Sequence, residues 1–210
     1  MLKIKTFVFN PIMENTYLLY DETQEAVIID CGASNKNEEK QMIDFIKDKN
    51  LKLKRLLNTH IHFDHILGNR FIFETYGLKP EYHKAEEVIM GLKKLNQLFS
   101  PIKFDPVDAG NFIEHEDEII FGKTHIKALL TPGHSAGGLS FYIQESECVF
   151  TGDTLFQHDI GRTDLLGGNH SELLKSIQNH LFTLPDSTVV YPGHELPTTI
   201  EEEKLHNPYF

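Results

Sequence analysis

The sequence predicts an α/β protein in which two β-rich layers are covered by helices on their outer sides. Short apolar or alternating segments bounded by turn residues recur along the chain, which indicates many short strands. Segments with a helical apolar stripe separate several of these strands. No internal repeat, low-complexity segment or linker divides the 210 residues, so we expect a single domain over residues 1–210.

Three short strands are predicted at the start of the chain. They cover residues 4–9, 16–20 and 26–30. A helix follows from the N-cap Ser34 to about Lys49, with an apolar stripe that includes Met42 and Ile46. A fourth strand, over residues 53–58, is an apolar run that leads directly into a group of histidines.

The remainder of the chain is predicted to contain three helices and five strands. Helices are expected at residues 66–73, 85–99 and 171–182. Strands are expected at residues 118–122, 125–130, 139–143, 147–150 and 187–191. In the second of these helices the apolar face consists of Val88, Ile89, Leu92, Leu95 and Leu98. Such a face is typical of a helix lying over the edge of a sheet.

Composition excludes several classes of partner. The formal net charge is −11, whereas a nucleic-acid-binding protein needs a concentrated basic surface. The N-terminus has no apolar signal core and no apolar run approaches the length of a membrane span, so a cytoplasmic protein is expected. Cys31 and Cys148 are too few for a disulfide framework, and we expect both to be buried free thiols.

The most informative stretch is the run from Thr59 to His65, which follows the strand over residues 53–58. In a locally extended turn, His60 and His62 point to the same side because they are two residues apart. Asp64 and His65 then open the following helix and can reach a second point nearby. Four such side chains are too many for one closed tetrahedral site, so this run predicts half of a two-metal site.

Three later strand ends supply the same residue types. Each predicted strand ends in a glycine that immediately precedes a histidine or an aspartate, namely His134, Asp153 and His194. Glycine permits the sharp backbone geometry that directs the next side chain away from the strand end. Side chains presented from several strand ends along one edge form a preorganised metal site.

The predicted metal ligands are His60, His62, Asp64, His65, His134, Asp153 and His194. Imidazole and carboxylate ligands suit zinc first, with iron or manganese as alternatives. We expect Asp153 to bridge two divalent ions. The first ion would also be held by His60, His62 and His134, and the second by Asp64, His65 and His194.

These residues, in this order, resemble the metallo-β-lactamase superfamily. The run from Thr59 to His65 matches its signature, and the three later ligands match as well. The resemblance covers nearly the whole chain and implies a four-layer αββα sandwich with the metals at one edge. True lactamases more often have a cysteine where this chain has Asp153, which disfavours antibiotic hydrolysis.

Within the superfamily, the sequence most resembles the glyoxalase II branch, the hydroxyacylglutathione hydrolases, in its short bacterial form. The matching segments are 152–156, 161–164, 192–194 and 207–209. Full-length members continue into a C-terminal helical domain that helps to hold glutathione, and this chain is expected to lack it. The resemblance therefore implies thioester chemistry and leaves the acyl and thiol parts of the substrate open.

The expected reaction is hydrolysis of a small-molecule thioester. Two adjacent cations lower the pKa of a bridging water so that hydroxide is present near neutral pH, and this hydroxide attacks the acyl carbonyl. No protein nucleophile is needed. We expect Asp64, besides binding metal, to orient the nucleophile or to carry its proton.

Several other polar residues have two interpretations. Asp30 either supports a ligand histidine or caps a turn at a strand end. Arg162 either pairs with Asp164 or meets an anionic substrate, and we favour the pair. The remaining histidines lack the glycine context and are predicted to be surface or structural residues: His83, His115, His125, His158, His170, His180 and His206.

Two alternative functions remain open on the same fold. One is an iron-dependent persulfide dioxygenase, whose single iron would be held by His60, His134 and Asp153. Members of that branch usually have a cysteine where this chain has Ile160, which argues against it. The other is a non-catalytic metal-binding module, which would be expected to lose at least one ligand.

Overall fold

The computed structural model describes residues 1–96 and 105–210, and within 92–96 the backbone only. Its first sheet contains, in spatial order, β1 (Lys3–Phe9), β2 (Glu14–Tyr20), β3 (Glu25–Ile29), β4 (Lys52–Leu57), β5 (Pro80–Tyr82) and β6 (Asn111–Phe112). The second sheet contains β7 (Glu118–Phe121), β8 (Thr124–Leu130), β9 (Leu139–Ile143), β10 (Cys148–Gly152), β13 (Val189–Pro192) and β14 (Thr198–Thr199), also in spatial order. A two-stranded ribbon is formed by β11 (Leu155–Phe156) and β12 (Asp159–Ile160).

The described helices are α1 (Lys36–Asp48), α2 (Phe63–Ile66), α3 (Asn69–Tyr76), α4 (Glu87–Asn96), α5 (His170–Ser176) and α6 (Ile200–His206). A single π-helical turn, Ile177–Leu181, continues α5. None of the described helices is both long and apolar enough to cross a membrane.

The alternation of side chains along β2 shows how the layers form. Tyr17 and Leu19 point into an apolar layer between the two sheets, where they join residues such as Phe141 and Phe150 of the second sheet. The intervening Leu18 points to the other face and packs in a second apolar layer with Met42 of α1 and Phe71 of α3. Burial of both faces, at roughly 25 cal/mol per Å² of apolar surface, explains why successive residues from Tyr17 to Leu19 are all apolar or aromatic.

The second sheet is covered in the same way. Val149 of β10 and Val190 of β13 pack against Leu173, Ile177 and Leu181 from α5 and its π-helical turn. Helices thus lie outside both sheets, and the sheets pack against each other in the middle. The predicted four-layer αββα sandwich is confirmed.

The direction of the strands places the candidate ligands at one edge. In the first sheet β3, β4 and β5 run parallel to one another, so the chain segments after β3 and β4 leave at the same edge. In the second sheet β10 runs parallel to β13, with Gly152 beside Pro192. The segments with His60, Asp153 and His194 therefore leave their sheets at matching ends.

Several predicted boundaries were wrong by a few residues for identifiable reasons. The N-cap of α1 is Asn35, not Ser34, because the Asn35 side chain accepts hydrogen bonds from the amides of Asn37 and Glu38. The helix predicted over residues 66–73 is two helices, α2 and α3. Gly68 lies between them against Cys31, and a β-carbon at Gly68 would stand 2.4 Å from the Cys31 sulfur.

The predicted helix over residues 85–99 corresponds to a 3₁₀ turn, Lys84–Glu86, followed by α4. Its predicted positions Leu92, Leu95 and Leu98 lie outside the residues whose side chains are described. The short elements β5, β6, β14, α6 and the β11–β12 ribbon were not predicted, since two to seven residues give little periodic signal. Cys31 and Cys148 are buried free thiols, as predicted.

Candidate metal centre

The seven predicted ligands lie together where the two sheets meet at one edge. His60, His62 and His134 form a first group, with ring centroids 4.6 to 4.8 Å apart. Nδ1 of His62 lies 2.8 Å from Nε2 of His134, although the two residues are 72 positions apart in the chain. Each of the three side chains offers a nitrogen close enough to the other two to hold one ion.

A second group is formed by Asp64, His65 and His194. Oδ2 of Asp64 lies 3.1 Å from Nε2 of His194 and 3.5 Å from Nε2 of His65. Asp64 and His65 are in α2, whereas His194 comes from the segment after β13. These three side chains also have the spacing that a metal ion requires.

Asp153 lies between the two groups. Its Oδ1 is 3.3 Å from Nε2 of His65, and its Oδ2 is 3.6 Å from Nε2 of His134 and 3.8 Å from Nε2 of His194. One carboxylate thus faces histidines of both groups. This is the position that a bridging ligand occupies in a two-metal site.

Buried polar atoms in the cluster indicate that cations fit there. Nε2 of His65 and Oδ1 of Asp153 are buried 3.3 Å from each other, and neither makes a well-aligned hydrogen bond within residues 1–96 and 105–210. Such atoms are costly to bury without a partner. The donor set is imidazole nitrogen and carboxylate oxygen, which suits zinc, manganese or iron. The residues present therefore fit two divalent ions.

The charges of the cluster support the same conclusion. Burial raises the pKa of the Asp153 carboxyl, but His65, His134 and His194 outweigh burial and hold that pKa well below its usual range. Burial lowers the pKa of His65, but Asp153 and Asp30 outweigh it and raise that pKa above its usual range. Asp153 therefore remains ionised and attracts positive charge, which divalent cations supply when they bind.

The glycines before the ligands have the properties predicted for them. Gly133 and Gly152 have positive φ angles of 130° and 50°, a region that favours glycine. Gly193 is required for a different reason, because a β-carbon there would stand 2.3 Å from Oδ1 of Asp153. The sharp turns and this close approach together position Asp153 and His194.

Asp30 lies beside the cluster and contacts both His65 and the turn before His60. Its Oδ2 lies 2.9 Å from Nδ1 of His65, and it also accepts a hydrogen bond from Oγ1 of Thr59 at 2.7 Å. Its Oδ1 accepts a hydrogen bond from the backbone amide of Thr59 at 2.8 Å. Asp30 therefore contacts a candidate ligand and also organises the turn before His60, so both predicted interpretations describe real contacts.

Two buried glutamates near the cluster were not predicted from the sequence. Oε2 of Glu86 accepts a hydrogen bond from the amide of Ile61 at 3.1 Å, and Oε1 accepts one from the amide of Gly137 at 2.6 Å. Glu86 thus joins the segment with His60 and His62 to the segment with His134. A glutamate inside a predicted helix has no local feature that distinguishes it, so only the packing shows this contact.

Glu14 is the second of these glutamates and is fully buried at the start of β2. Its Oε2 accepts a hydrogen bond from Oγ1 of Thr16 at 2.8 Å, whereas its Oε1 has no partner in the described part of the chain. The pKa of Glu14 is raised well above its usual value. Burial is the main cause, and the negative charges of Asp30 and Asp64 add to it, whereas the charge of His65 opposes it.

The glycine-rich loop lies next to the cluster. Arg162 pairs with Asp164 through two hydrogen bonds of 2.7 and 2.8 Å, as predicted. The backbone carbonyl of Arg162 lies 2.8 Å from Nδ1 of His134 and so orients that ring. Five of the remaining histidines are exposed, whereas His83 and His180 are half-buried. His83 caps the turn Lys84–Glu86.

Comparison with known proteins identifies the family. Residues 10–194 match the model of the metallo-β-lactamase superfamily. The chain belongs to this superfamily. Its members bind divalent metals, typically two.

Three curated relatives cover most of the chain. The probable metallo-hydrolase YqgX of Bacillus subtilis is 36% identical and covers 99% of this chain and 97% of its own length. The hydroxyacylglutathione hydrolase GloC of Haemophilus influenzae is 32% identical, with 99% and 98% covered. The mitochondrial persulfide dioxygenase ETHE1 of Mus musculus is 33% identical, with 92% and 70% covered.

Solved structures give the same result. The structure of the B3 metallo-β-lactamase BLEG-1 has a TM-score of 0.87 and 36% identity, and 99% of each chain is covered. The structure of TTHA1623 in a di-iron-bound form has a TM-score of 0.84 and 29% identity, with 98% of this chain and 100% of the other covered. The family and these relatives support an enzyme of the metallo-hydrolase superfamily.

Proposed function

We propose that this protein is a metal-dependent hydrolase of small-molecule thioesters, with two divalent metal ions in one domain. The observation that carries the proposal is the position of Asp153 between two groups of candidate ligands. In this proposal His60, His62 and His134 would hold one ion, and Asp64, His65 and His194 would hold the other. Asp153 would serve both. Zinc is the first choice of metal, and iron or manganese are the alternatives.

Two bound cations supply Lewis acidity and a water molecule of lowered pKa. The protein's part is to place Asp64, which is the proposed catalytic residue. Burial raises the pKa of Asp64, but the hydrogen bond from His194 and the charge of His65 outweigh it and keep that pKa low. Asp64 is therefore ionised at neutral pH and can accept a hydrogen bond from the attacking water, which orients it toward the acyl carbonyl.

The relatives support the thioester part of the proposal. GloC is a hydroxyacylglutathione hydrolase, hydroxyacylglutathiones are thioesters, and the GloC sequence aligns with 99% of this chain. Arg162 is exposed near the cluster, but its guanidinium group is already paired with Asp164. It therefore gives no indication of which thiol the protein accepts. We therefore propose thioesters as the substrate class and leave the thiol to experiment.

A persulfide dioxygenase is the second candidate, since ETHE1 of Mus musculus is 33% identical to this chain. Its single iron would use His60, His134 and Asp153. With a single iron at that position, the group formed by Asp64, His65 and His194 would hold no cation. The Asp64 and His194 side chains of that group are nevertheless 3.1 Å apart. The second group of ligands therefore favours the two-metal hydrolase.

The test is a substrate panel on protein loaded separately with zinc, manganese and iron. The panel contains several thioesters including S-lactoylglutathione, a lactone, a phosphodiester, a β-lactam, and glutathione persulfide with oxygen consumption recorded. We expect thioester hydrolysis with two metal ions per chain. One iron per chain with oxygen uptake on the persulfide would overturn the proposal, and absence of any turnover would favour the non-catalytic module.

Variants of the proposed ligands complete the test. His60→Ala and Asp153→Ala should abolish thioester hydrolysis while circular dichroism shows a retained fold. His125→Ala is the matched control, because His125 is exposed on β8 and pairs with Glu118, away from the cluster. Near-normal rates in either ligand variant would refute the assigned site.

A further inference from the structure

A second cluster of metal-binding side chains lies on the surface where the β11–β12 ribbon packs against α6. The ribbon is held there by Glu203, which is fully buried. Oε2 of Glu203 accepts hydrogen bonds from the backbone amide of His158 at 2.9 Å and from Nδ2 of Asn207 at 2.8 Å. Its Oε1 accepts a hydrogen bond from Oγ1 of Thr198 at 2.6 Å. The ribbon tip is thus fixed relative to the helix.

His158 occupies that tip in an unusual backbone conformation. Its φ angle is 57°, in the left-handed region that non-glycine residues rarely adopt. The hydrogen bond from its amide to Glu203 holds this conformation, and the imidazole ring then lies over α6. Nε2 of His158 is 2.8 Å from Oε1 of Glu202.

The same carboxylate oxygen has a second imidazole beside it. Nδ1 of His206 lies 3.2 Å from Oε1 of Glu202, four residues earlier on the same face of α6. The three ligand atoms all lie within 4.8 Å of one another. Two of the three side chains are exposed and the third is half-buried, so water can complete the coordination of an ion.

We propose that His158, Glu202 and His206 form a third metal site, which takes zinc or a similar borderline divalent ion. Two imidazole nitrogens and one carboxylate oxygen are a common protein contribution to a zinc ion whose fourth ligand is water. The site is separate from the seven ligands at the sheet edge, and it stands whether or not the proposed thioester hydrolysis is correct.

An ion at this site would cross-link two elements that are distant in sequence. Glu202 and His206 belong to α6, whereas His158 lies 44 residues earlier than Glu202. The ribbon continues directly into Gly161 and Arg162, and the Arg162 carbonyl lies 2.8 Å from Nδ1 of His134. A metal that immobilises the ribbon therefore stabilises the loop that orients one of the ligands at the sheet edge.

The matched control is an exposed histidine–glutamate pair without a third ligand, formed by His125 and Glu118. Nδ1 of His125 lies 2.8 Å from Oε1 of Glu118, at the same distance as the pair in the proposed site. Among the described residues no third ligand completes a metal group there. His125→Ala should therefore leave zinc binding unchanged.

The first test is zinc stoichiometry by equilibrium dialysis and elemental analysis. We expect His158→Ala, His206→Ala and Glu202→Gln each to bind one equivalent less than wild type, and His125→Ala to bind the same amount as wild type. The same difference is expected when each change is made in an Asp153→Ala background, which separates this site from the sheet-edge site. Equal stoichiometry in wild type and all three variants would overturn the proposal.

The second test locates the ion by hydrogen exchange measured with mass spectrometry. Zinc should slow amide exchange in the peptide that contains residues 155–160 in wild type and in His125→Ala, but not in His206→Ala. His206 is exposed, so its replacement is not expected to unfold the chain, and circular dichroism checks this. Equal slowing in His206→Ala would show that the ion binds elsewhere and would refute the site.

Discussion

Nδ1 of the buried His65 lies 2.9 Å from Oδ2 of the buried Asp30, which is 35 residues earlier in the chain. The ring nitrogen Nδ1 thus faces Asp30, and Nε2 faces Asp153, 3.3 Å away. A proton shared with Asp30 on Nδ1 would leave Nε2 as the atom that binds a metal ion. Asp30 also accepts two hydrogen bonds from Thr59, the residue before His60. One carboxylate therefore positions ligands of both proposed metal ions.

From the contact between Asp30 and His65 we expect metal affinity to depend on Asp30, although Asp30 is not one of the proposed ligands. Asp30→Ala should weaken zinc binding by about 10-fold to 100-fold, because His65 loses its fixed tautomer and orientation. Competition with a chromophoric chelator measures this affinity. Asp44→Ala is the control, since Asp44 is exposed on α1 and bonded to Lys40. Unchanged affinity in Asp30→Ala would show that the contact does not position His65.

Glu86 predicts a linked loss of stability and turnover. In Glu86→Gln one of the two backbone amides, of Ile61 or Gly137, loses its carboxylate acceptor. A hydrogen bond to a charged group contributes about 1.5–3 kcal/mol, so the free energy of unfolding should fall by about that amount. Urea denaturation measures this change, and steady-state kinetics should show a lower kcat because His62 and His134 are less firmly held. The exposed Glu74→Gln should change neither quantity.

Glu14 predicts a pH-dependent stability in protein freed of metal with a chelator. Unfolded Glu14 ionises above about pH 4.5, whereas folded Glu14, whose pKa is raised by burial, keeps its proton. The folded state then binds more protons than the unfolded state, so this group lowers the free energy of unfolding as pH rises, by up to about 1.4 kcal/mol per pH unit.

Glu14→Gln removes this titration while preserving the shape of the side chain. The free energy of unfolding of the variant should exceed that of wild type at pH 7, and the difference should shrink toward pH 4. Urea denaturation across that range measures the difference. The exposed Glu201→Gln should follow the wild-type curve, and a difference for Glu14→Gln that does not vary with pH would contradict the prediction.

Removal of metal should destabilise the fold, since the buried carboxylates and imidazoles of the sheet-edge cluster then have no cation between them. Zinc at about 100 times its dissociation constant should raise the free energy of unfolding by about 2.7 kcal/mol per site. Thermal unfolding with chelator and after zinc addition measures this effect. In Asp153→Ala the rise in Tm should be much smaller, and an equal rise would place the stabilising ions elsewhere.

Local sequence was sufficient to predict the layers and to single out the candidate ligands. The apolar run of β2 and the stripe of α1 have periods that specify strand and helix, and their burial on the expected faces confirms them. The seven ligand candidates could be identified because four fall within six residues, from His60 to His65, and each of the other three follows a glycine. Both are local patterns, so they are visible without any knowledge of which strands pair.

Tertiary structure alone decided which of these side chains meet. His62 and His134 lie 2.8 Å apart only because two sheets pack with matching edges, and no local pattern encodes that contact. The same reason explains why Glu14 and Glu86 were missed, since each acts through segments distant in sequence. The cluster of His158, Glu202 and His206 likewise exists only because a ribbon too short to predict packs on a helix too short to predict. Residue types and their order along the chain thus determined the chemistry available, and long-range packing determined where that chemistry is assembled.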